Sequence, residues 1–584
     1  MSARDERTAL TAGTSLYDYA LFRQGIDPDG PFPRRGHPLP DGPPEPSRRS
    51  GLTWAQAGDE VAAALAPLLA DADPVRAAEA VHLRADALRM PYRTLRAHVG
   101  RLPLTDEAAA RRTARRLTRT GTSTAAVSVG LALLIRLGEP EDVPCLKVLG
   151  LLRGLGQAAA AALDPLDRQA AALLLLAHRS RAPEMAPLLA AFSTRDAQDA
   201  RTALVALPPD AEVLWLARRI AEAADLEGLL RAYPQDGELL DRAGRLLYRM
   251  ASQRDYRAEI LDYGPAVAVY EALVGHADRL SPTLDHHVLL LVLALDLHTG
   301  PGVLLDWRPG QREALLDALD RLLAGPAWTA VSVREQQDAD ARRRADWIRR
   351  TRRQPFVRLP APKRFRLEVV VRDPAEANAV ETRILVDGRP LVTEHFGKGP
   401  AGSPELLLDT GELRAGAEPR EVQLAEAYCT EGCCGALYVT IRRDGDEVVW
   451  GDWRGAVGPT PPEYRFAAAA YDAEVGRAER DRSWCWPARN TARLIKAGLR
   501  ERPDLLTRWD VEPGWVGTSW REPDTVDVGF SIRPEAETEA ESEGGSRRYF
   551  HWTLRDDGRP PEAQAAAALD RLATADPKTF ADGR

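Results

Sequence analysis

The spacing of apolar residues divides the chain into a helical part and a strand-rich part. Between about residues 52 and 353, Ala and Leu recur every three or four residues, which is the period of an amphipathic helix. Pro, Gly or Asp interrupts these runs at short intervals, as expected at helix ends. The pattern predicts an array of short helices. The predicted helices cover 54–69, 74–88, 106–119, 124–137, 164–178, 210–223, 237–250, 265–277, 282–297, 309–323 and 333–352.

The alternation changes after residue 354. β-branched and aromatic residues now alternate with polar ones, which is the period of a half-buried strand. Asp387-Gly388 and Asp444-Gly445 separate two pairs of such runs and predict two-residue hairpin turns. The region therefore reads as an α+β domain with antiparallel hairpins. The predicted elements are a strand at 364–371, hairpins at 382–395 and 436–453, paired strands at 526–532 and 547–554, and helices at 487–501 and 561–574.

These changes in composition and hydrophobic periodicity predict a multidomain chain. Residues 1–51 form an N-terminal arm and a Pro/Gly-rich linker. A short amphipathic stretch at 16–22 is expected to cap the next domain, and docking to a partner is the alternative. Residues 52–353 form the helical domain, and residues 354–584 form a Trp-rich α+β domain. The acidic segment 534–545 lacks aromatic residues and is predicted to be a disordered loop.

One segment carries a resemblance to a known class of repeat. An apolar run at 125–137, an acidic turn at 138–142 and a second apolar run at 143–152 resemble a unit of a HEAT/armadillo-like helical-repeat protein. The resemblance is confined to the N-terminal half. It implies an all-α, α-solenoid-like domain that presents an extended surface to a protein partner. An irregular helical bundle is the alternative, and the C-terminal half resembles no characterised family.

Composition narrows the functional class without naming it. The net charge is −8, which does not favour nucleic-acid binding. No apolar run approaches the roughly 18 residues that a membrane-spanning helix needs, and the first residues lack the apolar core of a signal peptide. Five cysteines, an odd and sparse number, favour a reducing cytoplasm. The abundance of Ala, Arg and Leu suggests a bacterial source of high GC content.

A cysteine-rich turn is the strongest chemical signal. Cys429, Cys433 and Cys434 fall within six residues, directly before a predicted strand. Two or three thiolates of such a turn could bind zinc. Alternatively, Cys429 and Cys433 could form a redox pair, or the thiols could simply pack beneath the sheet. The candidates for a fourth ligand are Cys485, His395 and His551.

Two further groups of residues are candidates for partner binding. Trp515 and Trp520 belong to a concentration of tryptophans and could line a groove for a peptide or a base, although core packing is the alternative. Arg111, Arg115 and Arg119 share one helical stripe that could contact phosphates. A second arginine cluster at 342–353 is interleaved with Asp and is expected to be a solvated or interdomain face.

No catalytic constellation can be assembled from the sequence. The segment 397–402 has the spacing G-x-G-x-x-G, but Pro400 removes a backbone donor, so a plain Gly-rich connection is favoured over a phosphate loop. The leading expectation is a cytoplasmic interaction scaffold or regulatory protein whose partner is another protein. The alternatives are an enzyme or a metal- or thiol-dependent module centred on the cysteine turn, and nucleic-acid binding through the arginine-rich helices. Catalytic residues and oligomeric state stay undefined.

Overall fold

The chain forms two compact units. Unit 1 comprises Met1–Arg249 with Ala268–Arg279, and unit 2 comprises Met250–Val267 with Leu280–Arg584. No helix in the described part of the chain is long and apolar enough to cross a membrane. The computed structural model describes residues 9–11, 13–26, 36–40, 52–179, 185–194, 196–208, 216–252, 258–334, 336, 338–358, 363–375, 379–429, 431–519, 522–532 and 548–583. The acidic segment 534–545 and most of the linker lie outside these residues.

Helices are the regular elements of the described chain up to Thr351. They are α1 (Leu16–Ile26), α2 (Trp54–Leu69), α3 (Pro74–Leu88), α4 (Tyr92–Val99), α5 (Glu107–Thr120), α6 (Thr124–Leu137), α7 (Val143–Gly150), α8 (Gly156–Leu163), α9 (Arg168–Arg179), α10 (Met185–Ser193), α11 (Ala197–Val205), α12 (Ala217–Ala223), α13 (Leu226–Ala232), α14 (Gly237–Ala251), α15 (Ala266–Gly275), α16 (Leu284–Thr299), α17 (Gln311–Leu323), α18 (Pro326–Val331) and α19 (Ala339–Thr351).

Local sequence signals explain where the helices of unit 1 begin. The Asp106 carboxylate accepts a hydrogen bond from the Ala109 amide at the start of α5, and the Ser123 hydroxyl caps α6 in the same way. Helices α5 and α6 pack closely, because Gly130 lies where a Cβ would meet the backbone and side chains of α5. A short turn at Pro140–Asp142 then leads into α7. This is the helix–acidic turn–helix order that the sequence predicts.

Strands and further helices follow in unit 2. The strands form three antiparallel sheets with the orders β1-β2-β3, β4-β5-β6-β7 and β8-β9-β10-β11. The elements are β1 (Phe365–Val371), β2 (Val380–Val386), β3 (Arg389–Pro390), α20 (Leu391–His395), α21 (Pro404–Leu407), β4 (Arg420–Glu426), α22 (Glu431–Cys434), β5 (Ala436–Asp444), β6 (Glu447–Arg454), β7 (Tyr464–Ala467), α23 (Ala468–Arg480), α24 (Pro487–Glu501), α25 (Asp504–Thr507), β8 (Glu512–Thr518), β9 (Thr525–Ile532), β10 (Arg548–Arg555), α26 (Pro561–Thr574) and β11 (Asp582–Gly583).

Both predicted hairpin turns are present, but one of the hairpins is shorter than expected. Asp387 and Gly388 both have positive φ, as a type I′ turn requires. In the second hairpin Asp444 pairs with Glu447, so the two turn residues are Gly445 and Asp446, one residue later than predicted. The predicted second strand of the first hairpin ends after Pro390, and Leu391–His395 forms a helix. Its apolar residues Leu391 and Val392 are buried in that helix, so tertiary packing overrides their strand propensity.

Helix α19 belongs to the same compact unit as the three sheets. Its Trp347 is fully buried and donates a hydrogen bond from Nε1 to the carbonyl of Val371, at 2.9 Å, on strand β1. The Gln354 side chain donates to the carbonyl of Val369 on the same strand, also at 2.9 Å. The observed fold class, a helical region followed by an α+β region with antiparallel hairpins, confirms the prediction. The domain boundaries at 51 and 353 stay predictions.

Candidate metal centre

Three thiols of the predicted cysteine turn converge in space. The Sγ atoms of Cys429, Cys433 and Cys434 all lie within 4.8 Å of one another, and those of Cys433 and Cys434 are 3.7 Å apart. Cys433 is exposed, whereas Cys429 and Cys434 are half-buried. In the described part of the chain, these three cysteines are a group of potential metal ligands close enough together to share one ion. The geometry can present up to three soft sulfur ligands to one ion.

The backbone between β4 and β5 explains why the thiols meet. Strand β4 ends at Glu426, whose carboxylate accepts a hydrogen bond from the Glu431 amide at 2.8 Å. The chain then makes the single helical turn α22, which carries Cys433 and Cys434. Gly435 ends this turn with φ of 92°, a conformation that favours glycine. Its carbonyl accepts from the Ala427 amide at 3.1 Å, which closes the loop on itself.

The Gly-rich segment 397–402 supports this turn from the side. Lys398 contacts it twice: its carbonyl accepts from the Tyr428 amide at 3.2 Å, and its Nζ donates to the Cys434 carbonyl at 2.9 Å. Farther along, Gly402 donates to the Leu424 carbonyl at 2.7 Å, and Ala401 forms an antiparallel bridge with Ala425. These backbone groups are therefore engaged with strand β4, which supports the interpretation of the segment as a structural connection.

The thiols influence one another electrostatically. Two hydrogen bonds raise the pKa of Cys434 to about 11, and the one with Cys429 has a larger effect than the one with Cys433. A thiol with this pKa keeps its proton at neutral pH unless a cation replaces it. Cys145 on α7 is a different case, because burial raises its pKa to about 12 within an apolar core. The converging thiols, unlike Cys145, are accessible to an ion from solvent.

The candidate fourth ligands are not part of this group. Cys485 has its sulfur 4.0 Å from Nη1 of Arg493, and burial raises the pKa of this thiol. His395 has its Nε2 3.5 Å from the Tyr464 hydroxyl. His551 is exposed on β10, opposite Gly529 of β9. Within the described residues, three of the four cysteines predicted as ligands therefore come together, and Cys485 is not among them.

The arginine stripe of α5 is present, and it faces carboxylates of its own unit. Arg111 contacts Glu139 at 2.8 Å and donates to the Leu137 carbonyl at 2.7 Å. Arg115 donates from Nε to the buried carboxylate of Asp142 at 2.8 Å, and Arg119 lies 3.9 Å from the same group. The positive charge of the stripe is therefore largely balanced within the fold, which weakens its attraction for phosphates.

The tryptophans differ in exposure. Trp515 on β8 has 57% of its surface exposed, which is compatible with a role in partner binding. Trp520, the second predicted member of that groove, lies outside the described residues. Trp450, Trp484 and Trp552 are all buried, as the core-packing alternative predicts for a small β-rich region. The groove itself stays a prediction.

The comparisons with known proteins give no functional lead. The chain matches no protein-family model, no curated protein and no solved structure. The HEAT/armadillo resemblance therefore stays a prediction. Sequence reasoning missed the supporting role of Lys398, because its contacts depend on how the Gly-rich segment lies against β4. A functional proposal has to rest on the chemistry of the site.

Proposed function

We propose that this protein binds one zinc ion through Cys429, Cys433 and Cys434. The observation that carries the proposal is the convergence of the three Sγ atoms within 4.8 Å. With zinc–sulfur bonds of about 2.3 Å, thiolates around one ion lie roughly 3.8 to 4.0 Å apart. The separation of 3.7 Å between Cys433 and Cys434 is close to that value. Small side-chain rotations would bring the remaining pairs into the same range.

The ligand set defines what kind of centre this would be. Three thiolates favour a soft or borderline cation over Mg²⁺ or Ca²⁺, which prefer oxygen ligands. Zinc normally takes four ligands, so the fourth would be water, a substrate or a side chain of a partner. The exposure of Cys433 leaves room for such a ligand on the solvent side. A metal-dependent contact with another molecule is therefore the role we assign to the centre.

Metal binding requires deprotonation of the thiols. Since the pKa of Cys434 is raised to about 11, zinc binding at neutral pH must release the proton of this thiol. Zinc affinity should therefore rise with pH between about 6 and 8. A disulfide is less well supported for the adjacent pair Cys433–Cys434. Their Cα atoms are about 3.8 Å apart across a trans peptide, below the usual 4.4 to 6.8 Å.

The test is a zinc titration of the full-length chain under reducing conditions, in competition with a chromophoric chelator. We expect one equivalent to bind, and Cys434→Ser to weaken the affinity by about 100-fold or more. Cobalt substitution should give a thiolate charge-transfer band in the wild type, which Cys434→Ser diminishes. Circular dichroism of both proteins would verify that the substitution leaves the fold intact.

Cys485→Ser is the matched control, because Cys485 lies outside the three-thiol group. Its zinc affinity should equal that of the wild type. Failure of the wild type to bind zinc, or equal affinity of Cys434→Ser, would contradict the proposal. A disulfide between Cys429 and either other cysteine, found by mass mapping of the air-oxidised protein that no longer binds zinc, would support the redox alternative. The interaction role of residues 52–353 and the cytoplasmic location stay predictions.

A further inference from the structure

Unit 2 contains a cavity whose lining residues do not include the cysteine turn. Its volume is about 380 Å³, which falls within the range of small-molecule sites. The end of α19 and the segment after it, strand β1, and the end of α23 with the segment after it form its walls. The charged residues that line it are Arg350, Arg353, Lys363, Arg366, Glu368, Glu474, Arg477 and Asp481.

Most of these charges are paired across the cavity wall. The buried carboxylate of Glu474 accepts from the Leu367 amide at 3.0 Å, from Lys363 at 2.7 Å and from Arg477 at 2.6 Å. Glu368 is paired with Arg366 and also accepts from His298 at 3.2 Å. These contacts fix the wall and pair three of its five cations with two carboxylates. Arg350 and Arg353 are the two that remain.

Arg350 is the most informative residue of the cavity. It is only partly exposed, yet its guanidinium has no hydrogen bond or ion pair with any residue that the structure describes. Burial lowers the pKa of Arg350 and outweighs the opposing influence of Cys485 and Asp524, which means that the fold holds this charge at a cost. Arg353, one helical turn farther along, likewise has no such contact within the described chain. A buried guanidinium normally has a carboxylate or phosphate partner.

We propose that this cavity binds a small organic oxyanion, a phosphate monoester or a polycarboxylate, through Arg350 and Arg353. With five cationic side chains and three carboxylates around it, the cavity carries an excess of positive charge that a dianion would balance. The guanidinium of Arg350 provides the paired donors that match a carboxylate or phosphate.

The size of the cavity and its other lining residues indicate that the anion carries an organic group. Orthophosphate alone would leave most of the 380 Å³ empty. Leu367, Val369 and the buried Trp484 supply apolar surface to the same cavity. Ser483 and the carboxylate of Asp481 add polar groups that can contact hydroxyls. The combination suits a compact, hydroxylated anion of the size of a sugar phosphate or citrate.

The test measures binding of named anions to the full-length protein by calorimetry and by thermal unfolding. The probes are glucose 6-phosphate, citrate and orthophosphate, with glucose and sodium chloride of matched ionic strength as blanks. We expect saturable binding of glucose 6-phosphate or citrate, with orthophosphate weaker. Tighter binding of glucose 6-phosphate assigns the site to phosphate esters, and tighter binding of citrate assigns it to polycarboxylates.

Arg350→Gln should reduce the affinity for the better anion by about tenfold or more, because one charge-assisted contact is lost. Arg353→Gln gives a second, independent variant at an exposed position and should also weaken binding. Arg321→Gln on α17 removes the same charge away from the cavity and should bind as the wild type does. Unchanged affinity in both cavity variants, or anion effects no larger than that of chloride, would overturn the proposal.

Discussion

The two arginine-rich helices of this protein differ in what their guanidinium groups face. On α5, Arg111, Arg115 and Arg119 contact carboxylates contributed by a single neighbouring turn. On α19 and directly after it, some arginines are paired in a similar way, but Arg350 and Arg353 are not paired with any described residue. The two sequences look alike, since both place arginines at helical spacing.

This difference separates a structural arginine from a candidate ligand-binding arginine. The positive charge on α5 is balanced by carboxylates inside unit 1, where Asp142 is buried and accepts two hydrogen bonds from Arg115. The charge of Arg350 is available to the cavity in unit 2. Spacing alone cannot distinguish the two cases, because the deciding carboxylates come from other segments. Substitutions that remove one partner at a time can test the distinction.

The largest effect is expected at Asp142. Asp142→Ala removes the buried carboxylate that accepts from Arg115 and from the Glu139 amide, and we expect the free energy of unfolding to fall by about 3 kcal/mol. Glu141→Ala removes a second partner of Arg115, but this side chain is 61% exposed, so its loss should be within about 1 kcal/mol. Urea denaturation of both variants measures the difference. Equal effects would mean that burial of Asp142 does not strengthen the α5 network.

A smaller, pH-dependent effect on the free energy of unfolding is expected at Glu474. Burial acts to raise the pKa of this carboxyl, but hydrogen bonds from Arg477, the Leu367 amide and Lys363 outweigh it and hold the pKa at about 2. Since the folded pKa lies below the unfolded value, the stabilisation is present above about pH 4.5 and is lost as the pH falls towards 2.

Glu474→Gln should therefore cost about 2 to 3 kcal/mol at pH 7 and clearly less at pH 3. Urea denaturation at the two pH values measures this change. Glu421→Gln, which removes one partner of the exposed pair with Arg454, is the matched control, and its cost should be clearly smaller and nearly the same at the two pH values. A Glu474→Gln penalty that does not shrink at low pH would contradict the assigned pairing.

The smallest effects compare the two kinds of arginine directly. Arg115→Gln should destabilise the protein by about 1 to 2 kcal/mol, because it breaks contacts with Asp142 and Glu139 but leaves Asp142 with the Glu139 amide and with Arg119 nearby. Arg350→Gln, in the absence of added anion, should change stability by no more than about 0.5 kcal/mol, since it breaks no ion pair with a described residue. Denaturant titrations in low-phosphate buffer measure both. A larger loss for Arg350→Gln would show that this arginine stabilises the fold itself.

Local features of the sequence predict much of the fold. The predicted helices at 487–501 and 561–574 have the observed bounds of α24 and α26, because each begins with proline and keeps one buried face. Leu391–His395 was expected in a strand and is a helix, since the alternation of a short segment does not determine its packing. Strand β4 was not predicted, although it forms one side of the cysteine turn.

The candidate sites also differ in how far local sequence predicts them. The three-thiol group could be predicted because Cys429, Cys433 and Cys434 are neighbours in sequence and one turn brings them together. The separation of Cys485 from them depends on the tertiary fold. The cavity could not be predicted at all, because its walls come from segments near 350, 367 and 480. Its functional signal is that Arg350 has no hydrogen bond or ion pair with a described residue, which only the three-dimensional structure reveals.

The compactness of the cysteine turn along the chain has a consequence for how zinc would act on the protein. Because its three sulfurs lie within six residues, the unfolded chain keeps them at a high effective concentration. Zinc would then bind the unfolded state nearly as readily as the native one, and mass action would shift the folding equilibrium only slightly. Zinc would therefore bind to the protein without contributing much to its stability. The nascent chain could acquire the ion before the sheets assemble.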